Sequence, residues 1–462
     1  MKSPTFKRPQ WIRGHDAHNH DVHNGEHGVT MVLVAMSMVA LIAMAALSID
    51  VVTLYLNREE AQRSADAAAL AAARVISISG ITGTANPNND TTSWQAICGP
   101  TGTATQVAQQ MGALNAVGGV APTVTVNYSN AGSPTGVPDC SGYGQDFAIN
   151  PTVIVQVRRT GLPTLFSRIW SRSTNSISAT AAAEVFNPSD SGPVTPGGQI
   201  VPVVPRCVKP WIIPDEDPDN PGKRFVGHRS GRIGVPGIFP LDSGVIGEKF
   251  TLANDCSGPG CTGSNLTTNP PGVITASKTI YYVPALISTA PPAVAVPSCA
   301  TDDFQNSIAG CDESTVYACG VDKLAQADLS ANRGSDTSTA VECLTKIPSG
   351  DTIDTTAYPF QIKAGASNPI ASPNQVITSS NSIMTLPIYN DWLDTGSPQP
   401  LTGTNPQITI VGFLQVFVRT VDTTGNMQVT VLNVSGCGDT ASSTTPTAPG
   451  SSPVPIRLIT PQ

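Results

Sequence analysis

From Val29 to Ile49 the chain carries no charged residue. At ~1.5 Å per residue in a helix, this run spans roughly the ~30 Å hydrocarbon core of a bilayer. The pattern then changes without a break. Asn57 to Val75 reads NREEAQRSADAAALAAARV, where alanine supplies strong helix propensity and Glu59 and Arg63 are spaced for an i,i+4 pair. One continuous helix is therefore expected to leave the apolar run and to stop at Gly80. Ala61, Ala65, Ala68 and Ala72 fall three or four apart and share one face. Such a seam lets another helix or a sheet approach closely, and plain helix propensity accounts for the same alanines equally well.

Further along, the periods are shorter. Thr103 to Val117 places Val107, Met111 and Leu114 on one helical face. Thr123 to Tyr128, Val153 to Val157 and Ile177 to Val185 alternate apolar and polar residues, which predicts three strands. Between the last two, Leu162, Leu165, Phe166, Ile169 and Trp170 form a short apolar face bounded by Arg168 and Arg172, suited to cap the open end of the sheet's core or to dock a neighbour or the membrane surface. Residues 187–206 are rich in Pro and Gly and read as a linker. Further strands are expected near Val273–Val283, Gln375–Ile388, Gln407–Thr420 and Asn426–Val434, and Ile456 to Ile459 adds a last candidate within a Ser/Thr/Pro-rich tail.

The chain thus divides into a leader (1–28), a transmembrane helix (29–50), a helix-plus-sheet domain (51–186), a linker (187–206), a mainly β domain (207–438) and a tail (439–462). The expected fold class is α+β: an N-terminal transmembrane helix continues into a long Ala-rich helix packed on a small antiparallel sheet, pilin-like in layout. A mainly β, disulfide-bearing second domain follows.

Composition supports this division. Charged residues are 13% of the 462, while Gly and Pro number 41 and 40, a balance that favours strands and turns over charged helices. A net charge of -8 supplies no basic field for a polyphosphate, so nucleic acid is not an expected partner. The cysteines, at 98, 140, 207, 256, 261, 299, 311, 319, 343 and 437, all follow the apolar run, as an oxidising compartment on one side of a membrane permits. Cys256 with Cys261 and Cys311 with Cys319 are close enough in sequence for local disulfides. Lys2, Lys7, Arg8 and Arg13 outnumber Asp16, Asp21 and Glu26 before the run, which places the N-terminus in the cytoplasm and the bulk outside a bacterial cytoplasmic membrane, as a single-pass protein. A cleavable signal peptide ending at Ala43-Met44-Ala45 is the competing reading.

Motifs that could carry chemistry are weak. Gly258 to Gly263 fits G-x-G-x-x-G, yet Asn269-Pro270-Pro271 stands where a phosphate-binding helix must begin. Ser191 sits in the linker with only His228 available as a base in the outer part. Asp215, Asp217 and Asp219 alternate as calcium ligands do, but Asn220 replaces the Gly and Val226 the Glu of an EF-hand loop, so a solvated acidic turn is expected. His15, His18, His20, His23 and His27 give the leader adventitious metal affinity rather than a preformed site. No catalytic residue, cofactor or metal is expected.

The apolar run, Ile49-Asp50-Val51, Tyr55 and then Ala65-Asp66-Ala67-Ala68-Ala69-Leu70-Ala71-Ala72-Ala73 together resemble the N-terminal segment of TadE/TadG-like proteins of Tad (Flp) pilus assembly, tightly over about residues 27–75. Weaker similarity extends through Pro151 to Phe186, and Cys207 to Pro214 (CVKPWIIP) adds little more. Length places the chain nearer the TadG-like branch. One departure concerns processing: prepilin-type signals carry a Glu five residues after the cut, whereas Leu33 follows Gly28 at that distance here. The resemblance implies a non-enzymatic, membrane-anchored scaffold or minor pseudopilin-like subunit whose partners are other Tad pilus-assembly proteins or pilin subunits. A surface-exposed adhesion or ligand-binding protein is the alternative.

Overall fold

The computed structural model describes residues 26–81, 94–129, 136–148, 151–162, 166, 175–185, 205, 207–219, 224–226, 245–254, 278–287, 299–310, 317, 325–330, 332–356, 360–391, 401–436, 454 and 456–459. The chain separates into two compact units, Met1–Leu56 with Gly161–Asn175, and Asn57–Thr160 with Ser176–Gln462. The expected single helix is present as α1 (Glu26–Ile78), 53 residues long. It ends where expected, because Gly80 takes a left-handed φ of 80° and a Cβ there would lie 2.8 Å from the Phe360 ring.

In the second unit a small sheet is built from β1 (Thr123–Ser129), β2 (Thr152–Leu162), β3 (Asn175–Val185) and the last described strand, Ile456–Ile459, in that spatial order. β1 pairs with β2, and the last strand with β3, antiparallel, with Val126 opposite Val155 and Ala183 opposite Leu458. Alternation sets the layer: Val153, Val155 and Val157 are buried while Gln156 and Arg158 face out. Over the sheet's inner face lie the alanines of α1 and the helix α2 (Thr103–Leu114). The packed face of α2 differs from the one its apolar spacing suggests. Ala104, Thr105, Ala108 and Gly112 are buried, Val107 and Met111 are half-buried, and Leu114 is 78% exposed. Close approach decides this, since a Cβ on Gly112 would meet Val124 Cγ2 at 2.5 Å. Cys98 and Cys140 are joined across this core with Cα atoms 5.6 Å apart, and Tyr128 shares a 2.7 Å hydrogen bond with Thr105.

Six other strands close a mixed barrel, β4 (Trp211–Pro214), β5 (Lys249–Asn254), β6 (Thr279–Pro284), β7 (Ile383–Tyr389), β8 (Ile410–Val421) and β9 (Met427–Gly436), in the order β7-β8-β9-β5-β6-β4, and the short strands left over form a three-stranded and a two-stranded sheet. Of the strands expected here, the 375–388 run is split into Val376–Ile377 and β7, the 407–420 run into Gln407–Ile408 and β8, and the 426–434 run is β9, while residues 273–277 of the remaining one lie outside the described residues and its later part falls in β6. Closure depends on two parallel pairs, β5 with β6 and β4 with β7, which bring together segments far apart in sequence. The barrel interior holds Trp211, Leu252, Tyr282, Leu386, Leu414 and Val431. Against it pack α3 (Asp303–Ala309) and α4 (Gly334–Thr345), tied by the Cys299–Cys343 disulfide with Cα atoms 5.3 Å apart.

The CVKPWIIP motif is part of this architecture. Trp211 Nε1 donates to Thr337 Oγ1 of α4 at 3.1 Å, and the buried Lys209 donates to the carbonyls of Ile308 (2.5 Å) and Gly310 (2.9 Å) at the end of α3. Burial lowers the Lys209 ammonium to about 8, and the carbonyls that end α3 are its compensation. Cys256, Cys261, Cys311 and Cys319 lie outside the described residues, as do Ser191, His228, the 258–263 glycines and the leader up to residue 25.

Candidate interaction surface: the long helix and an acidic cluster

Along α1 the environment changes once. From Val29 to Leu56 the large apolar side chains face outward, with Met31 76% and Leu56 still 56% exposed. Among the described residues this is the one helix long and apolar enough to cross a membrane. So many exposed apolar side chains on one helix require an apolar surrounding to be stable, because water contact disfavours each of them by ~1.5–3 kcal/mol relative to burial. Asp50 is the exception in this stretch. It is 6% exposed, and its Oδ2 accepts the backbone N–H of Phe166 at 3.0 Å within the same compact unit. Sequence reading identified Asp50 only as part of a motif, although a lone carboxylate in an apolar helix already calls for a fixed partner.

From Asn57 onward the helix turns inward. Ala61, Ala65, Ala68 and Ala72 have no exposed surface and lie in one core with Val126, Val155, Ala181 and Ala183 of the sheet and Ala104 and Ala108 of α2. The close approach that the seam permits is thus used within the chain. Polar groups along the rim hold the register: Ser64 Oγ donates to the Gly112 carbonyl at 3.1 Å, and Glu60 accepts the Gly118 N–H at 2.8 Å. Farther on, the helix reaches the barrel. Ile78 joins the barrel core, Asn433 of β9 donates through Nδ2 to the Ser77 carbonyl, and Phe360 N–H donates to the Ser79 carbonyl at 3.0 Å. The end of α1 therefore touches both the sheet core and the barrel, so its last turns are packed on several sides.

The acidic triplet is not a solvated turn. Asp215 and Asp217 are fully buried, Glu216 is 5% exposed, and only Asp219 reaches solvent in part. Backbone turns take up the carboxylates, since Asp215 Oδ1 accepts Val226 N–H and Asp217 Oδ1 accepts Asp219 N–H, both at 2.8 Å. Arg224 lies 3.3 Å from Asp391 and 3.9 Å from Asp215, and Lys278 lies 2.8 Å from Asp219. Burial pushes the Asp391 carboxyl well above the usual range, with Asp215 adding to the shift. Glu248 is pushed up to about 9, by burial first and then by Asp217, with which it shares a hydrogen bond. Glu248 is therefore held in its protonated form at neutral pH, beside Asp217. Among the described residues no group of three or more His, Cys, Asp or Glu side chains is arranged to hold a metal ion.

This retained proton has a consequence for stability. A carboxyl whose folded pKa is raised contributes fully below its unfolded value near 4.5, and the contribution is lost as pH rises to about 9. Glu248→Gln keeps the hydrogen-bond donor and removes the ionisation. It is expected to raise Tm by roughly 2–4 °C at pH 8, or about 1 kcal/mol, and to have no effect at pH 4. Thermal unfolding of both proteins across pH 4–9 checks this, and parallel pH profiles would exclude the retained proton.

Residues 28–75 match the model of a family described as putative Flp pilus-assembly TadE/G-like. The match covers both halves of α1, the exposed apolar one and the packed alanine one. No curated protein matches the chain, and no solved structure does.

Proposed function

We propose that this chain is a membrane-anchored, non-enzymatic component of a Tad/Flp-type pilus-assembly apparatus. Its role is that of a scaffold or minor pseudopilin-like subunit held at the outer face of the cytoplasmic membrane. The observation that carries the reading is the coincidence of the family match with the two environments of α1. One helix provides a lipid-length exposed run and, without a break, an alanine face packed into the core of the folded body. In this reading Ala61, Ala65, Ala68 and Ala72 serve the packing of the folded body, and sister proteins meet the exposed half of the helix inside the membrane or the outer surface of the sheet and barrel. Single-pass topology with a cytoplasmic leader follows the basic residues before the run. The division into a helix-plus-sheet domain, a linker and a barrel domain belongs to the same proposal.

Crosslinking in the native host, followed by capture of the full chain, is the test. Recovery of pilus-machinery proteins together with an intact N-terminal peptide is the expected result. Capture of none, with the chain cleaved after Ala45 and released, would favour a secreted binding protein instead. Surface proteolysis of intact cells separates the adhesion alternative, since a component beneath an outer layer stays protected.

A further inference from the structure

The fourth strand of the small sheet comes from the far end of the described chain. Ile456–Ile459, labelled β10 here, pairs with the last four residues of β3, Ala182 to Val185. None of its residues is buried, and Leu458 is 44% exposed. It is held instead by specific points. Arg457 donates to Glu184 Oε2 through Nε at 2.9 Å and Nη2 at 2.6 Å, and Val454 just before the strand is fully buried in the core beneath the sheet. Between the barrel's last strand, which ends at Gly436, and Val454 lie residues 437–453, enough chain to reach on the order of 60 Å when extended.

We propose that β10 is an exchangeable strand, and that the partner of the β3 edge in the assembled state is β10, with Val454, of a second copy of this chain. The occupant is defined by the structure itself: the slot already seats this sequence with a matched ion pair, a buried valine and a fixed antiparallel register. An identical segment from a neighbour reproduces every one of those contacts, which is the condition for strand exchange at little cost. Without a strand there, β3 would present open N–H and C=O groups beside a core that has lost Val454, so the slot is not left empty. Anchoring by α1 confines copies to one plane and raises their local concentration, which favours the exchanged form. To this extent the inference rests on the anchored reading, but it does not require the pilus role. Reciprocal exchange closes a dimer, whereas one-way donation continues into a chain of copies.

The experiment co-expresses two differently tagged full-length copies in membranes, one carrying Ala183→Cys and the other Leu458→Cys, positions directly opposite in the register. A reductant-sensitive product of two 47.8 kDa chains containing both tags is expected, and it forms only if the strand of one copy sits on β3 of the other. A chain carrying both substitutions reports the alternative. If it crosslinks within itself while the mixed pair gives no heterodimer, the exchange is overturned. If neither crosslinks, the register itself is wrong and the proposal falls with it. Repeating the mixed pair with Arg457→Glu on the donor is expected to reduce the heterodimer several-fold, which a chance collision of thiols would not do. Fractionation of the same membranes shows separately whether the anchor holds.

Discussion

Replacing Ala65 and Ala68 together by leucine is expected to unfold the body of this protein or leave it only marginally stable. Both residues have no exposed surface and face the sheet and α2, so the added side chains cannot be absorbed without moving the helix. Overpacking costs about 1–3 kcal/mol per site, so the pair costs roughly 2–6 kcal/mol against a typical total of ~5–15. Because the same helix continues to Ser77, whose carbonyl is held by Asn433, a shift at Ala68 is also transmitted to the barrel. Limited proteolysis and thermal melting of the full chain in detergent read the effect, with Arg63→Leu on the exposed face as the control. A double variant that melts within a degree or two of the parent would show that the alanine face is not packed as described.

The second large effect concerns the exposed half of α1. Val39→Arg combined with Ile42→Arg places two cations near the middle of the charge-free run, at ~2.5–3.5 kcal/mol each on insertion scales, or about 5–7 kcal/mol together. The variant is expected to move from the alkali-resistant membrane pellet to the soluble or aggregated fraction. Parent protein that is itself extracted by alkali would remove the anchor, whatever the variant does. The same fractionation with Asp50→Asn is informative by contrast, since that change keeps an acceptor for the Phe166 N–H and is expected to leave membrane retention intact.

The two helix substitutions test different halves of one element, and their readouts are independent. Loss of membrane retention with a folded, protease-resistant body is the signature expected of the arginines. Loss of protease resistance with retention in the pellet is the signature expected of the leucines. That separation follows from the change in environment at Asn57, which falls on the boundary between the two compact units.

Local pattern accounts for much of what was legible beforehand. A charge-free run, an alanine period and a terminal Gly define α1 to within a few residues, because each is a property of adjacent turns. The strands β1, β2 and, in part, β3 are legible for the same reason, their alternation being local, whereas β8 and β9 are buried on both faces over most of their length. Where side-chain size competed with hydrophobicity, the pattern misled: Leu114 is exposed and Gly112 buried, because α2 packs against Val124 too closely for a large residue. Asp215 and Asp217 misled in the opposite sense, because acids read as solvated until backbone N–H groups and a protonated Glu248 are found beside them.

By itself, then, the sequence determined the long two-part helix, the class of the fold and the resemblance over its first helix. All of these are written in neighbouring residues or in composition. Only the tertiary structure decided which surfaces meet: the occupant of the alanine seam, the parallel pairs that close the barrel, the pairing of Cys98 with Cys140 and Cys299 with Cys343, and the return of Ile456–Ile459 to β3. Those contacts join residues separated by tens to hundreds of positions. Their free energies depend on shape and burial at both ends at once, which no window along the chain contains.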